Sequence, residues 1–380
     1  MLFELTPELL ALKEKAHSFA QEKIKPIAAE IEKKGMYSDE VIKEMGELGF
    51  LGMIIPQEYG GQGQGYLSYM VVLEEIAKAD ASHASVMALH NSLFAFPLIN
   101  YGTEEQKQRY LPKICTAEKY CAFALSEPDA GSDATSIQTT AIKVGTDYII
   151  SGNKIFVTNG SVADFVLVYA VTEKGKKAHG ITTFLVEKNT PGFQVGTIEK
   201  KMGFKGSPTC ELIFQDVKVP ESAILGKLNE GFKIAMDTLN GGRISIGAMA
   251  VGIAQAAFEE AFAYAQKRIQ FEKPICEFQA IQFMLSDMAT QIETARQLTY
   301  YAAWLKDNHL PHIKESAQAK LFATEMATKV CYKAVQILGG YGYLENYNVA
   351  RYYRDARVTE IFEGTSEMQR LTIARSLLKD

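Results

Sequence analysis

The chain of 380 residues is 47% hydrophobic and 22% charged, with a formal net charge of −5 at pH 7. That is ordinary globular composition, with length enough for two or three cores. No Lys/Arg-rich block occurs, which argues against a nucleic-acid partner.

The N-terminal stretch mixes Glu and Lys into an apolar repeat and lacks the layout of a signal peptide. Residues 1–120 read as a helical domain. Thr6-Pro7-Glu8 supplies a capping hydroxyl, a proline at the first helical position and an early acid. "SDEVIKEMGELG" opens on another cap and closes on glycine, and "IIPQEYGGQGQGY" is a turn-rich interruption. "LSYMVVLEEIAKAD" and "ASVMALHNSLFAFPLINYG" predict strongly apolar helices, and "TEEQKQRYLPKICTAEK" a solvated one.

Near residue 121 the pattern changes. "YCAFALSE", "TTAIKVG", "DYIISG", "NKIFVTNG", "ADFVLVYAVTE", "GITTFLVEK" and "CELIFQDVKVP" are short, β-branched and aromatic, and separated by turn residues. Residues 121–230 therefore predict a small antiparallel β domain. No helices alternate with the strands, which argues against a doubly wound sheet. From residue 231 to 380 long helices return, as a C-terminal bundle. "QILGG" supplies a C-cap, and Ser366 with Gln369 reads as a capping box for the last helix. No run approaches the length of a membrane span. The five cysteines (Cys115, Cys121, Cys210, Cys276, Cys331) have no CxxC spacing, so free thiols and a cytoplasmic location are expected.

Glu363 is the residue that asks for an explanation. It follows Ile361 and Phe362, precedes Gly364, and lies in the break before the last helix. One reading is local: acids near a helix N-terminus are favoured by the dipole. The other is chemical: a carboxylate held among apolar groups has a raised pKa and serves as a general base. Ser126 to Asp133 reads either as a turn cluster or as a set of N–H and hydroxyl donors for phosphate. Arg268 and the Gln336–Gly340 segment are each open to a structural or a ligand-binding reading. There is no G-x-G-x-x-G after a strand, no P-loop, no G-x-S-x-G and no H-E-x-x-H. The histidines show no zinc-site spacing, so no metal is expected.

Taken together, "IPQEYGG", "YGTEEQKQRYLP", "AFALSEPDAGSD", "GNKIFVTNG", "KMGFKGSPTCELIF", "NGGRISIGAMAVGIAQ", "RIQFEKPICEFQAIQFMLSDM", "QILGGYGYL" and "YRDARVTEIFEGTSEMQR" resemble the acyl-CoA dehydrogenase family, most of all its short-chain members. The resemblance covers almost the whole chain. It implies an α+β architecture: an N-terminal helical domain, a middle antiparallel β domain and a C-terminal four-helix bundle. It also implies FAD, an acyl-CoA substrate, a homotetramer and electron-transferring flavoprotein as acceptor.

Residue by residue, Phe123, Ala124, Leu125, Ser126, Gly131 and Ser132 match the segment along the flavin. Phe156, Val157 and Thr158 match the strand on its other face. Arg268, Gln279 and Gln336, Ile337, Leu338, Gly339 and Gly340 match FAD contacts from a neighbouring subunit. Thr365, Ser366 and Glu367 match contacts to the adenosine diphosphate, as suits a helix N-terminus. Ser132 also matches a pantetheine contact, and Asn240, Gly241, Gly242 and Arg243 match a segment touching CoA. Gly364 lies beside the substrate. Glu363 matches the base that takes the α-proton while the β-hydrogen leaves as hydride to the flavin. The base's own N–H and a flavin ribityl hydroxyl polarise the thioester carbonyl in that family.

Some relatives carry the base where this chain has Gly242, so here Glu363 stands alone. The arginine that binds a second carboxylate in glutaryl-type relatives is missing from "ALHNSLFAFP", which disfavours a dicarboxylate. In that stretch Asn91 is read as a satisfied helix residue, or alternatively as a neighbour of the acyl tail. The acyl group expected is short, branched or alicyclic. The competing activity is that of a flavin oxidase or monooxygenase on the same fold, and a non-catalytic binding protein is a third reading.

Overall fold

Thr6 accepts a hydrogen bond from the Leu9 N–H (3.3 Å) and Pro7 takes the first helical position, which opens helix α1 (Pro7–Phe19). In this computed structural model, which describes residues 4–378, the chain is helical in its regular parts as far as Cys115. After α1 come α2 (Ala28–Lys34), α3 (Asp39–Glu47), α4 (Tyr66–Ala79), α5 (Ala81–Ala88), α6 (Phe96–Tyr101) and α7 (Glu104–Cys115). A π-helical segment, Leu89–Ala95, joins α5 to α6 and is buried throughout. Helix α7 carries a capping box of Thr103 and Gln106, but it is solvated on one face only. Its Tyr110, Leu111 and Ile114 are buried.

One sheet holds β1 (Cys121–Ala124), β2 (Thr140–Val144), β3 (Asp147–Thr158), β4 (Phe165–Val171), β5 (Ile181–Glu187), β6 (Phe193–Ile198), β7 (Thr209–Pro220) and β8 (Ile224–Leu225). The strand order is β6-β7-β3-β2-β4-β5-β8, with β1 also on β4. Most pairings are antiparallel, but β1 runs parallel to β4, and so does β2 at Thr140 and Val171. The two strands expected at "DYIISG" and "NKIFVTNG" are one strand, β3. Gly152 marks a register shift against β7 rather than a turn, the irregularity a strand glycine permits. Strand β6 escapes the sequence reading because it lies at the sheet edge. It buries neither face fully and so shows no apolar alternation.

The C-terminal helices are α8 (Gly231–Lys267), α9 (Gln279–Asp307), α10 (Ile313–Leu338), α11 (Asn348–Thr359) and α12 (Ser366–Leu377). Helix α8 is long and apolar enough to cross a membrane, contrary to the expectation that no run comes near. Within the fold 67% of that window is buried, as in a core helix. Its small residues let backbones touch: a Cβ on Gly252 would lie 2.4 Å from the Glu74 carbonyl oxygen of α4. Two polar clamps tie the same pair of regions together. Asp307, ending α9, accepts the Tyr66 and Leu67 N–H groups at the start of α4 (2.6 and 2.9 Å). Glu74 of α4 accepts from Arg296 Nε (2.9 Å) and the Tyr300 hydroxyl (2.8 Å) of α9. The N-terminal helices and the bundle thus share one core, and all five cysteines are free thiols.

Candidate active site

Helix α11 ends at Thr359, and the N–H groups of Ile361 and Phe362 both return to the Val358 carbonyl (2.8 and 3.1 Å). The chain then enters the left-handed region twice in succession, at Glu363 (φ 52°) and Gly364 (φ 96°). A glutamate there is strained, and such strain concentrates at functional sites. Phe362 anchors the turn edge-on against Phe204 of the β domain, with ring centroids 5.8 Å apart. The cap of α12 is Thr365, whose hydroxyl accepts the Met368 N–H (3.4 Å), one residue before the Ser366 expected from the sequence. Gln369 serves elsewhere: its Nε2 donates to the Gly364 carbonyl (2.8 Å), and the Ser366 hydroxyl is buried without a partner.

The left-handed turn lays the Glu363 carboxyl over helix α8. A Cβ on Gly242 would stand only 2.0 Å from Glu363 Oε2 and 3.2 Å from Leu93 Cδ2, so the missing side chain is the space the carboxyl uses. Oε2 is buried and makes no hydrogen bond among the described residues. One residue earlier, a Cβ on Gly241 would meet the Tyr66 hydroxyl at 2.6 Å, and that hydroxyl is also buried and unpartnered. Burial pushes the Glu363 carboxyl up to about 7, against the pull of Lys320 and Arg243. Arg243 donates to Asn240 Oδ1 (2.7 Å), and burial lowers its pKa while Glu363 supports its charge.

The segments Phe123–Ser132 and Phe156–Thr158 come together. Ser126 O accepts the Ile155 N–H (2.9 Å), and buried Lys154 donates to Leu125 O (3.0 Å) and Glu127 Oε1 (2.7 Å). Ala124, Leu125 and Val157 point into the core, so only their backbones could meet a ligand. Phe123, Ser126 and Thr158 are half-buried, while Gly131 and Ser132 are exposed. The Phe156 side chain is 64% exposed on a positive-φ backbone (φ 55°), a large aromatic face turned outward. Thr365 and Ser366 stand at the α12 N-terminus with Glu367 exposed beside them.

Arg268, Gln279 and Gln336–Gly340 lie elsewhere. Arg268 sits over the Tyr341 ring (5.7 Å), and Gln279, Gln336, Gly339 and Gly340 are exposed while Ile337 and Leu338 face the core. Gln336 is about 24 Å further along α10 than Lys320, which touches the Glu363 turn, at 1.5 Å of rise per residue.

Asn91 is a satisfied structural residue. Its Nδ2 donates to Phe50 O and Met87 O (3.0 Å each) and its Oδ1 accepts the Ile54 N–H (3.3 Å). Two residues of consequence escaped the sequence reading. Lys320 lies on the buried stripe Ser316, Lys320, Ala323, Ala327, Val330 of α10, and Lys154 on the inward parity of Tyr148 and Ile150 in β3. A lysine breaking an apolar period was the available signal in both cases.

A helical part, a sheet and a second helical part, with an unpartnered carboxylate held over α8, make a three-domain α+β enzyme fold. Family models for the acyl-CoA dehydrogenase N-terminal, middle and C-terminal domains match residues 6–118, 122–217 and 229–378. The chain is 47% identical to the short-chain specific acyl-CoA dehydrogenase of Megasphaera elsdenii, over 96% of each chain. It superposes on the solved butyryl-CoA dehydrogenase of the same organism with a TM-score of 0.97, at 46% identity, covering 100% of both chains. A chain in a structure of the electron-transferring flavoprotein of Acidaminococcus fermentans gives 0.98 at 47% identity, again over 100% of both. The chain belongs to the acyl-CoA dehydrogenase family and is an enzyme of that family, similar to members named short-chain specific.

Proposed function

We propose that the protein dehydrogenates a short, linear or compact branched or alicyclic acyl-CoA to the 2-enoyl thioester, with Glu363 as the base. The observation that carries this reading is the buried, unpartnered Glu363 Oε2 lying over Gly242, with its pKa raised to about 7. A carboxylate in that state accepts a proton near neutral pH and has no competing donor. The α-carbon of the thioester sits beside Oε2, and the Glu363 N–H polarises the thioester carbonyl so that the α-proton becomes acidic enough to leave. Leu93 stands against Gly242 and the Tyr66 ring against Gly241, where the acyl chain would lie. Asn240 and Arg243 with Ser132 hold the CoA portion.

FAD fits the residues present. The exposed Phe156 ring, the open backbone at Gly131, and the unpartnered Ser366 hydroxyl at a helix N-terminus are groups that a flavin dinucleotide would cover. Phe123, Ser126, Thr158, Thr365 and Glu367 complete that surface. When bound, the flavin supplies the hydride acceptor for the β-hydrogen. Arg268, Gln279 and the Gln336–Gly340 turn would serve the cofactor of another subunit, because they are distant from Glu363 in their own. Exposed Phe271 (89%) and Tyr343 (87%) at that end support burial in a homotetramer. Electron-transferring flavoprotein is the proposed acceptor.

The test is anaerobic titration of the purified protein with butyryl- through octanoyl-CoA, isobutyryl-CoA, 2-methylbutyryl-CoA and cyclohexanecarboxyl-CoA, followed by flavin absorbance. Rapid bleaching by one class is the expected result and identifies the substrate. Bound flavin that no acyl-CoA bleaches would overturn the proposal. Light scattering that gives a flavin-loaded monomer would overturn the assembly.

A further inference from the structure

Lys320 is fully buried two turns into α10, on a stripe that is otherwise Ser, Ala and Val. A lysine there is unfavourable unless its charge and its donors are answered. Among the described residues its ammonium has one hydrogen-bond acceptor, the Gly364 carbonyl oxygen at 2.5 Å. That oxygen also accepts from Gln369 Nε2 (2.8 Å), so α10 and α12 both grip a single carbonyl. The carbonyl belongs to the second of the two left-handed residues that turn the Glu363 carboxyl onto Gly242, where the clearance is that of a missing Cβ. A small rotation at Gly364 would carry the carboxyl away from that gap.

The charges facing Lys320 are Glu363, Arg243, Glu360 and Glu367. Arg243 is engaged with Asn240. Glu360 accepts from Thr328 (2.5 Å) and pairs with Arg357 (3.5 Å), and Glu367 is exposed. Glu363 is the buried carboxylate left for Lys320 to answer.

We propose that Lys320 is a positioning residue for the reaction: through the Gly364 carbonyl it locks the left-handed turn that holds Glu363 over Gly242, and its ammonium offsets the burial of the Glu363 carboxylate. This rests on the assignment of Glu363 as the base. It makes α10 a working part of the site, though no side chain of that helix need touch the acyl group. Burial brings the Lys320 pKa down to about 7 while Glu363 supports the charged form, the counterpart of the shift at Glu363.

The experiment compares parental protein, Lys320→Met and Lys320→Arg, each loaded with FAD and mixed with the best acyl-CoA across pH. For Lys320→Met the limiting rate of flavin bleaching should fall about 10²-fold, the effect of a misplaced reacting group. Its acid limb should move up by about one pH unit, as for a carboxylate that loses a nearby cation. Acyl-CoA affinity should hardly change, and Lys320→Arg should bring the limb back toward the parental position. A Lys320→Met protein with full flavin, parental rate and parental limb would overturn the proposal. Should that variant not fold, hydrogen exchange of the 358–369 segment in Glu363→Gln is compared with Glu363→Gln/Lys320→Met, which leaves no unpaired charge. Faster exchange in the double variant is expected, and equal exchange would overturn the proposal. A parental protein that no acyl-CoA reduces would refute the assigned reaction instead, and the exchange comparison would still decide the role of Lys320.

Discussion

Two buried lysines each face a carboxylate, one in the sheet and one in the helical bundle, with opposite results. Lys154 of β3 touches Glu127 at 2.7 Å, and Glu127 also accepts the N–H groups of Gln138 (2.5 Å) and Thr139 (3.0 Å). Burial opposes the charge on Glu127, but the ammonium and the N–H donors outweigh it and hold the carboxyl below its usual range. Lys320 of α10 spends its hydrogen bond on the Gly364 carbonyl instead, and Glu363 keeps an oxygen with no partner. There burial wins and the carboxyl rises to about 7. The same pair of residue types yields a brace in one case and, on the proposed reading, a base in the other. What separates them is how many donors reach the carboxylate.

Removing the proposed base tests the unsatisfied member of the comparison most directly. Glu363→Gln should keep FAD and lose about 10⁴-fold in turnover, the upper end for one proton-transfer group. Steady-state assay with an artificial acceptor checks this, and near-parental turnover would put the base elsewhere. Breaking the satisfied member should act on the fold instead. Lys154→Met leaves Glu127 buried without its cation, which costs about 3 to 5 kcal/mol. It also frees the Leu125 carbonyl in the segment proposed to line the flavin. Urea unfolding and flavin retention on gel filtration should both fall, whereas a variant as stable as the parent would show that Lys154 and Glu127 do not brace the segment.

Much of this comparison was legible in the sequence, and the illegible part has a physical cause. Glu363 stands out because its neighbours are apolar and a glycine follows it, and the family resemblance marks Gly242 as the position where some relatives carry a base. Asn91 was correctly read as a satisfied helix residue. The two lysines were not found, because each is one polar residue inside a period that reads as core, and its partner lies 27 or 44 positions away in the chain. The sequence points to Ser366 for the cap that Thr365 provides, since either hydroxyl begins an acceptable cap sequence and only the turn at Gly364 decides between them. The break at Gly152 was read as a turn because a bulge and a turn use the same residue.

The gap at Gly242 gives a test of intermediate size. Gly242→Ala puts a methyl group into the space of Glu363 Oε2 and must displace the carboxyl or the turn. Turnover should fall about 10²-fold while FAD binding survives. Stopped-flow flavin reduction separates this from a loss of acyl-CoA binding, and a parental rate would show that the carboxyl does not depend on the gap.

The smallest effect, and the sharpest on the comparison, is the pH dependence. Glu363 moves from 4.5 to about 7 on folding, so between those values the folded protein holds a proton that the unfolded chain has released. Stability from this group is therefore lost as pH rises from about 4.5 to 7, the reverse of a carboxylate held low by donors. On the proposed reading catalysis runs the other way, because Glu363 must be ionised to act as the base, and the rate of flavin reduction should climb through about pH 7. Glu363→Gln cannot ionise, so its melting temperature should gain on the parent as pH is raised across that window. Glu127→Gln should lose against the parent over the whole of it, because Glu127 is already ionised there and its charge answers Lys154. Differential scanning fluorimetry of the three proteins from pH 5 to 8 reads both slopes. Parallel curves for Glu363→Gln and the parent would mean that the Glu363 carboxyl is not held near neutrality, and the contrast between the two lysine sites would fail with it.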